Sequence, residues 1–583
     1  MRSYVLAAAA LVCVSAARAA DVKVTGIKAV CRNGQTFVTW NDAAEGEAGQ
    51  AFRYSLYRSD KPITQASLAQ AERVMQGVFN NSAKLFGHAF WPKDRLDPKQ
   101  PTCILRAGGK PLPNWSGLAV RTVERDTRSY YAVIATDLKA EKVLSQVVPG
   151  ESATTEPVAE TVAPLQPIKL YDSNRRKSYV AQTRISGKKG LPLYVNLHAS
   201  SGRGGTASTW GDYYLYFSRP EWGYRDGLPG VFSVQERSHG KPDQRLLFDS
   251  REAIVHSSGV RAMETYWFGY VCVPQRARHT EPRAYPFTER RTLWMIDWVV
   301  KHYGADPERV YCGGGSMGAW GSSTFALRHP ELFAAVYPNR PRTRQRGRPG
   351  LVRMPRNQKV MMDDGKTDYF ERMDMVRFVS RHHADLPFLG WCCGRHDGFA
   401  SFREQIDMVR ALTKAHHGFA FAWNDGNHSS GSRPMRQVTK YYPWTKFARN
   451  RSYPAFGNSS IDGDLGTGEV EKLVDGRKRR VLEKGNGDLE GGINLGFDWK
   501  DVVDEADKWS ATLSNALNKE PMTVDVTPRR CQAFRPKPGA VFKWTNSAGG
   551  AGEVTADPWG LVTVANVRIK PGEATRLTIE KRR

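Results

Sequence analysis

Beyond its first twenty residues the 583-residue chain has no apolar run that could span a bilayer, which takes about 20 apolar residues. It has no Walker-type glycine loop and no aromatic-basic RNA-binding signature, so nucleic acid is not an expected partner. Its Cys and His spacings match no zinc site, and neither a metal nor a cofactor is expected. Internal repeats are absent. Acid is scarce: 59 Asp plus Glu stand against 85 Lys plus Arg, a formal charge of +26. That surplus attracts polyanions without naming one. Apolar residues make up 40% of the chain, which excludes wholesale disorder. At roughly 100–200 residues per domain, three or four domains are expected.

The N-terminus carries an address. Arg2, the apolar stretch 5–14 (VLAAAALVCV) and the small-x-small triplet Ala17-Arg18-Ala19 read as a signal peptide over residues 1–19. The mature protein is then expected to be secreted or periplasmic, with no membrane span. Seven cysteines remain, an odd number, so at least one thiol stays free or pairs between molecules. Cys31 and Cys103 could bridge or stay reduced; spacing does not decide.

Residues 20–148 alternate apolar and polar in short runs, at 36–40 (TFVTW), 54–58 (YSLYR) and 130–136 (YYAVIAT). Such alternation marks half-buried strands of a β-sandwich. The early strand ending in Trp and the later Tyr-Tyr-Ala-Val-Ile-Ala strand resemble a fibronectin type III domain. Residues 149–164 (PGESATTEPVAETVAP) are aperiodic and read as a linker. Over 165–447 apolar strand runs alternate with helical patterns, the mark of a doubly wound, mainly parallel α/β sheet. Residues 448–583 turn Gly-rich and strand-like again, as a C-terminal β-sandwich. Within them 462–469 (DGDLGTGE) has calcium-type acids without the EF-hand spacing, and reads as a glycine-rich turn.

The chemistry concentrates in 309–327 (RVYCGGGSMGAWGSSTFAL). Gly314-Gly315-Ser316-Met317-Gly318 is a G-x-S-x-G with a strand before it and a helix after it. A nucleophile elbow needs that order, because the sharp turn lifts the Ser Oγ above the sheet. The general base of such a site follows the last strand, which selects His428. Its carboxylate follows the strand at 388–392, which selects Asp397; Asp363 and Asp364 are the alternatives one strand earlier. The oxyanion would be held by the Met317 amide and by an amide at Ala199 or Ser200. These residues resemble the α/β-hydrolase superfamily, notably secreted esterases and prolyl-oligopeptidase-like hydrolases. The resemblance implies a serine hydrolase using Ser316, Asp397 and His428 in that chain order, without a cofactor.

Two features bear on the substrate. The run 340–356 (RPRTRQRGRPGLVRMPR) reads as a basic cap in which Arg340, Arg342 and Arg344 would bind anionic groups, or as a solvated loop. Trp210, Trp222 and Trp267 would stack on sugar rings or fill core. The favoured expectation is an esterase releasing acyl groups from a polysaccharide, an acidic one if the cap binds substrate. The alternatives are a prolyl-oligopeptidase-like peptidase and an inactive carbohydrate-binding surface protein.

Overall fold

The computed structural model describes residues 22–32, 35–83, 102, 105, 109–123, 125–137, 142–161, 168–169, 188–197, 213–214, 230–238, 244–252, 267–268, 270–272, 283–344, 359–362, 364–483 and 485–582. The chain divides into two compact units, Met1–Gln182 with Gly204–Ser233 and Arg251–Met263, and Thr183–Arg203 with Val234–Ser250 and Glu264–Arg583.

In the first unit, strands Thr25–Arg32, Gln35–Asn41 and Ser116–Thr122 form one antiparallel sheet. Glu72–Phe79, Arg53–Ser59, Thr127–Thr136 and Val158–Glu160 form a second. Val38 and Trp40 of one sheet and Tyr54, Leu56, Tyr131 and Val133 of the other share a core. Residues 149–161 are not a linker. Val133 and Thr154 amides bond to Ser152 and Tyr131 carbonyls at 2.8 and 2.9 Å, and Val158–Glu160 pairs with residues 127–129. Glu160 is buried and accepts from Thr36 Oγ1 at 2.5 Å, Ser129 Oγ at 2.6 Å and the Tyr131 hydroxyl, with Arg58 and Arg121 beside it. A Pro/Thr/Glu-rich composition reads as solvated because it hides one acid whose partners lie far along the chain.

The second unit is built on an eight-stranded sheet. Its order is Gly230–Ser238, Gln244–Glu252, Leu193–Leu197, Val310–Gly315, Ala335–Asn339, Phe388–Gly394, Phe419–Asn424 and Gly491–Ile493. From Gln244–Glu252 to Phe419–Asn424 the pairing is parallel throughout. Phe388–Gly394 is buried at every position, as expected of a strand covered on both faces. Tyr270–Cys272 is a strand too, but it belongs to a separate small sheet with Arg283–Tyr285. Tyr369–Arg372 and Met375–Arg381 are separate helices, because Asp374 caps the Arg377 amide and starts a new helix.

After residue 447, Tyr453–Gly457, Met522–Arg529 and Val564–Ile569 form a three-stranded antiparallel sheet. Phe497–Glu505, Lys508–Asn515, Thr575–Lys581, Val541–Asn546 and Ala551–Thr555 form a five-stranded one. Trp509, Leu513, Leu577 and Ile579 from the second meet Val524, Val526, Val567 and Ile569 from the first. Each such fully buried side chain contributes about 1.5–3 kcal/mol. Gly491–Ile493 leaves this region and pairs antiparallel with Phe419–Asn424, so the chain after 447 also completes the central sheet.

Candidate active site

Ser316 stands between the Val310–Gly315 strand and the Met317–Arg328 helix. Its backbone is at φ 55°, ψ −116°, a conformation that costs an L-residue about 1–3 kcal/mol. The turn is closed on both sides: the Ser316 amide donates to the Asn339 carbonyl, and the Ser316 carbonyl accepts from Trp320 N, each at 3.0 Å. Gly314 is required by space, since a Cβ there would lie 2.4 Å from the Leu197 carbonyl oxygen and 2.7 Å from Gly318 backbone. The helix behind is buried from Met317 to Leu327. Trp267 presses on Gly321 and is 2% exposed, so it is core rather than a sugar platform; Trp210 and Trp222 lie outside the described residues.

The three sequence-selected residues come together at the ends of parallel strands. His428 Nε2 lies 2.8 Å from Ser316 Oγ, and His428 Nδ1 lies 2.7 Å from Asp397 Oδ2. The Asp397 side chain is fully buried, while the His428 ring remains 23% exposed. Asp397 Oδ1 accepts the Phe399 and Ala400 amides, both at 2.8 Å. With both oxygens engaged, the carboxylate is held toward the Nδ1–H tautomer, leaving Nε2 to accept the Ser316 proton. Close packing brings acid and base loops together: a Cβ on Gly394 would meet the Gly426 carbonyl oxygen at 2.2 Å. Asn424 fastens the base loop by accepting from the Gly426 amide and donating to the Ser430 carbonyl.

The alternative acid Asp364 is spent on its own turn. It accepts the Lys366 and Thr367 amides and the Thr367 hydroxyl, bonds that hold its carboxyl down to about 2. Asp363 lies outside the described residues. Met317 N–H is the first amide of its helix, one of those without an intrahelical acceptor, and it adjoins the nucleophile. Ala199 and Ser200 lie outside the described residues; Leu197, just before them, pairs in register with Gly314.

Of the basic run, Arg340, Arg342 and Arg344 are described. Arg342 is nearly buried, 3.5 Å from Glu404 and over the Trp320 ring. Arg344 is 2.7 Å from Asp407 and 3.6 Å from Asp374. Their forks serve internal carboxylates rather than open solvent. Arg340 faces the site's frame: its amide donates to the Cys392 carbonyl, and its guanidinium donates to the His428 carbonyl. The rest of the run to Arg356 lies outside the described residues.

Three residues have roles that the sequence did not assign them. Phe399 is 55% exposed with its ring 4.9 Å from the His428 imidazole, an apolar wall at the mouth. Glu469, from the calcium-like stretch, accepts the Phe402 and Arg403 amides at 2.9 and 2.7 Å, capping the helix that follows the acid loop. Asp462 of the same stretch accepts the Ser459 and Asn494 amides. Glycine-rich turn residues here act as backbone caps. Cys31, Cys312, Cys392, Cys393 and Cys531 are free thiols, and Cys103 lies outside the described residues.

Residues 292–452, a span that holds Ser316, Asp397 and His428, match the prolyl oligopeptidase family. A 41-residue stretch is 46% identical to acetylxylan esterase A of Aspergillus ficuum, and likewise to that of Emericella nidulans. It spans 7% of this chain and only 14% of the length of those relatives. Similar solved structures include an S-formylglutathione hydrolase from Agrobacterium tumefaciens, at 14% identity and a TM-score of 0.30, covering 44% of this chain and 83% of that one. A Bacillus cereus carboxylesterase shares 12% identity at a TM-score of 0.26, over 44% and 92% of the two chains. The parallel sheet, the elbow and the family match define an α/β-hydrolase core of the serine-hydrolase kind.

Proposed function

We propose that this chain hydrolyses carboxylic esters through an acyl-enzyme. The observation that carries the reading is the hydrogen-bonded line Ser316 Oγ–His428 Nε2, His428 Nδ1–Asp397 Oδ2. Ser316 Oγ attacks the ester carbonyl as His428 Nε2 takes its proton. Asp397 steadies the imidazolium. The Met317 amide and one from the 199–200 loop hold the oxyanion. His428 then returns the proton to the leaving alcohol, and water, deprotonated by the same nitrogen, releases the acid.

An acyl ester on a polysaccharide, an acidic one included, is the favoured substrate class. The short acetylxylan esterase match supports it, as does the signal-type N-terminus. The β-rich regions at the two ends fit: each has two antiparallel sheets around a shared core, which supports β-sandwich modules of the fibronectin type III kind at the N-terminus and of undefined kind at the C-terminus. A second reading, a prolyl-oligopeptidase-like peptidase, is favoured by the family match over 292–452. Turnover of an acetyl ester beside a peptide anilide separates the two. The ester reading fails if only the anilide is cleaved.

A further inference from the structure

Between Glu469 and Glu483 the chain forms a hairpin, Val470–Val474 paired with Arg477–Val481. These two strands form a sheet of their own, joined to no other described strand. Asp475 at φ 50° and Gly476 at φ 67° make the tight two-residue connection that left-handed residues allow. The segment is VEKLVDGRKRRV: five basic residues against two acidic ones, and no aromatic. Leu473 is 75% exposed, so the hairpin is not folded onto a core there.

Its root is fastened to the acid loop on both sides. Before the hairpin, Glu469 caps Phe402 and Arg403, and the Thr467 carbonyl accepts from Arg403. After it, the Asn486 carbonyl accepts from the Arg395 guanidinium, two residues before Asp397. Asn486 ties the two sides together, accepting the Thr467 amide at 2.6 Å and donating to the Gly468 carbonyl at 2.9 Å. A five-residue strand extends about 17 Å. The arm therefore starts at the residues that bracket the catalytic carboxylate; within it Lys472 lies 2.8 Å from Glu483 and Arg479 4.0 Å from Asp475, and the sequence adds Arg477, Lys478 and Arg480.

We propose that this hairpin is a docking arm for an anionic polysaccharide, holding the polymer while one of its acyl esters enters the Ser316 site. The proposal rests on the ester-hydrolase reading. Charge complementarity names the partner: spaced carboxylates suit a row of Lys and Arg, whereas single-stranded nucleic acid binders add aromatic platforms, and this segment has none. The preference must weaken with salt, because exposed charges are screened beyond roughly 10 Å at 0.1 M.

The test uses the full chain with Arg477, Lys478, Arg479 and Arg480 changed to Gln. On O-acetylated polygalacturonate at low salt, KM should rise about tenfold as the four charges are removed. On O-acetylated glucomannan and on a small neutral ester, kcat and KM should stay as in wild type. A second variant, Glu471→Gln with Asp475→Asn, keeps the turn and should lower KM for the acidic polymer alone. Retention of Ser316→Ala protein on immobilised polygalacturonate reads the arm without catalysis, and the four Gln changes should abolish it. Equal wild-type KM values for acidic and neutral polymers, or polygalacturonate retention that survives the four changes, would overturn the docking arm. A wild-type enzyme inert on every ester yet retained on polygalacturonate would instead sink the ester-hydrolase reading and leave the arm standing.

Discussion

The Arg340 guanidinium donates to the backbone carbonyl of His428, while the Arg340 amide donates to the carbonyl of Cys392. One residue thus links the strand that leads to Asp397 with the loop that carries the base. Its own backbone sits at φ 65°, and Gly431 leaves room for its side chain, since a Cβ there would lie 2.8 Å from Arg340 Cδ. Arg340→Ala should lower kcat about 10–100-fold with little change in KM, because misplacing a catalytic group by about 1 Å can cost that much. Added guanidinium should restore part of the rate. A rise in KM confined to charged esters, with kcat intact, would make Arg340 a substrate contact instead.

Ser316→Ala should end turnover and end labelling by a fluorophosphonate, leaving the fold in place. Asp397→Asn should cut kcat by about 10⁴, as the imidazole loses the acceptor that fixes its tautomer. Asp364→Asn should alter only its own surface turn. If Asp364→Asn proves crippling and Asp397→Asn mild, the acid assignment is wrong.

Much of this site could be read along the chain because each part is a short strand followed by its loop. Ser316 follows three glycines and precedes a helix; Asp397 and His428 follow apolar strands. What stayed hidden depends on partners far away in sequence. Arg342 and Arg344 look like a free basic run until Glu404 and Asp407 arrive beside them. Glu160 looks solvated until the Thr36 and Ser129 hydroxyls close over it. Glu469 looks like a turn acid or a calcium ligand, and its work is to cap a helix. Composition reports a residue's type, and only the fold reports who stands opposite.

Gly394→Ala should uncouple acid from base. The added Cβ would meet the Gly426 carbonyl oxygen at 2.2 Å and the Asn427 carbonyl oxygen at 2.9 Å, both backbone atoms that cannot swing aside. The base loop must shift, lengthening the His428–Asp397 bond. A fall in kcat of at least about tenfold is expected, with the unfolding midpoint lowered by a few degrees. Unchanged kcat would show that the loop can yield without moving His428.

Asp462 supplies a pH signature in stability. Burial pushes its carboxyl from 3.8 up to about 7, against the opposing pull of the Asn494 and Ser459 amides. Between those two values the folded chain holds a proton that the unfolded chain releases. Its stabilising contribution is therefore full below about pH 4, declines as pH rises through about 7, and is flat above. The slope cannot exceed about 1.4 kcal/mol per unit, and on the order of 1–3 kcal/mol is lost over the window. Asp462→Asn removes the titration and one of the two accepted amide bonds, lowering stability at acid pH by about 1 kcal/mol. Unfolding midpoints of both proteins, taken from pH 4 to 8 at fixed ionic strength, should converge as pH rises. Parallel curves, or a gap that widens toward pH 8, would show that Asp462 is ionised in the folded chain and that its two amide bonds outweigh its burial.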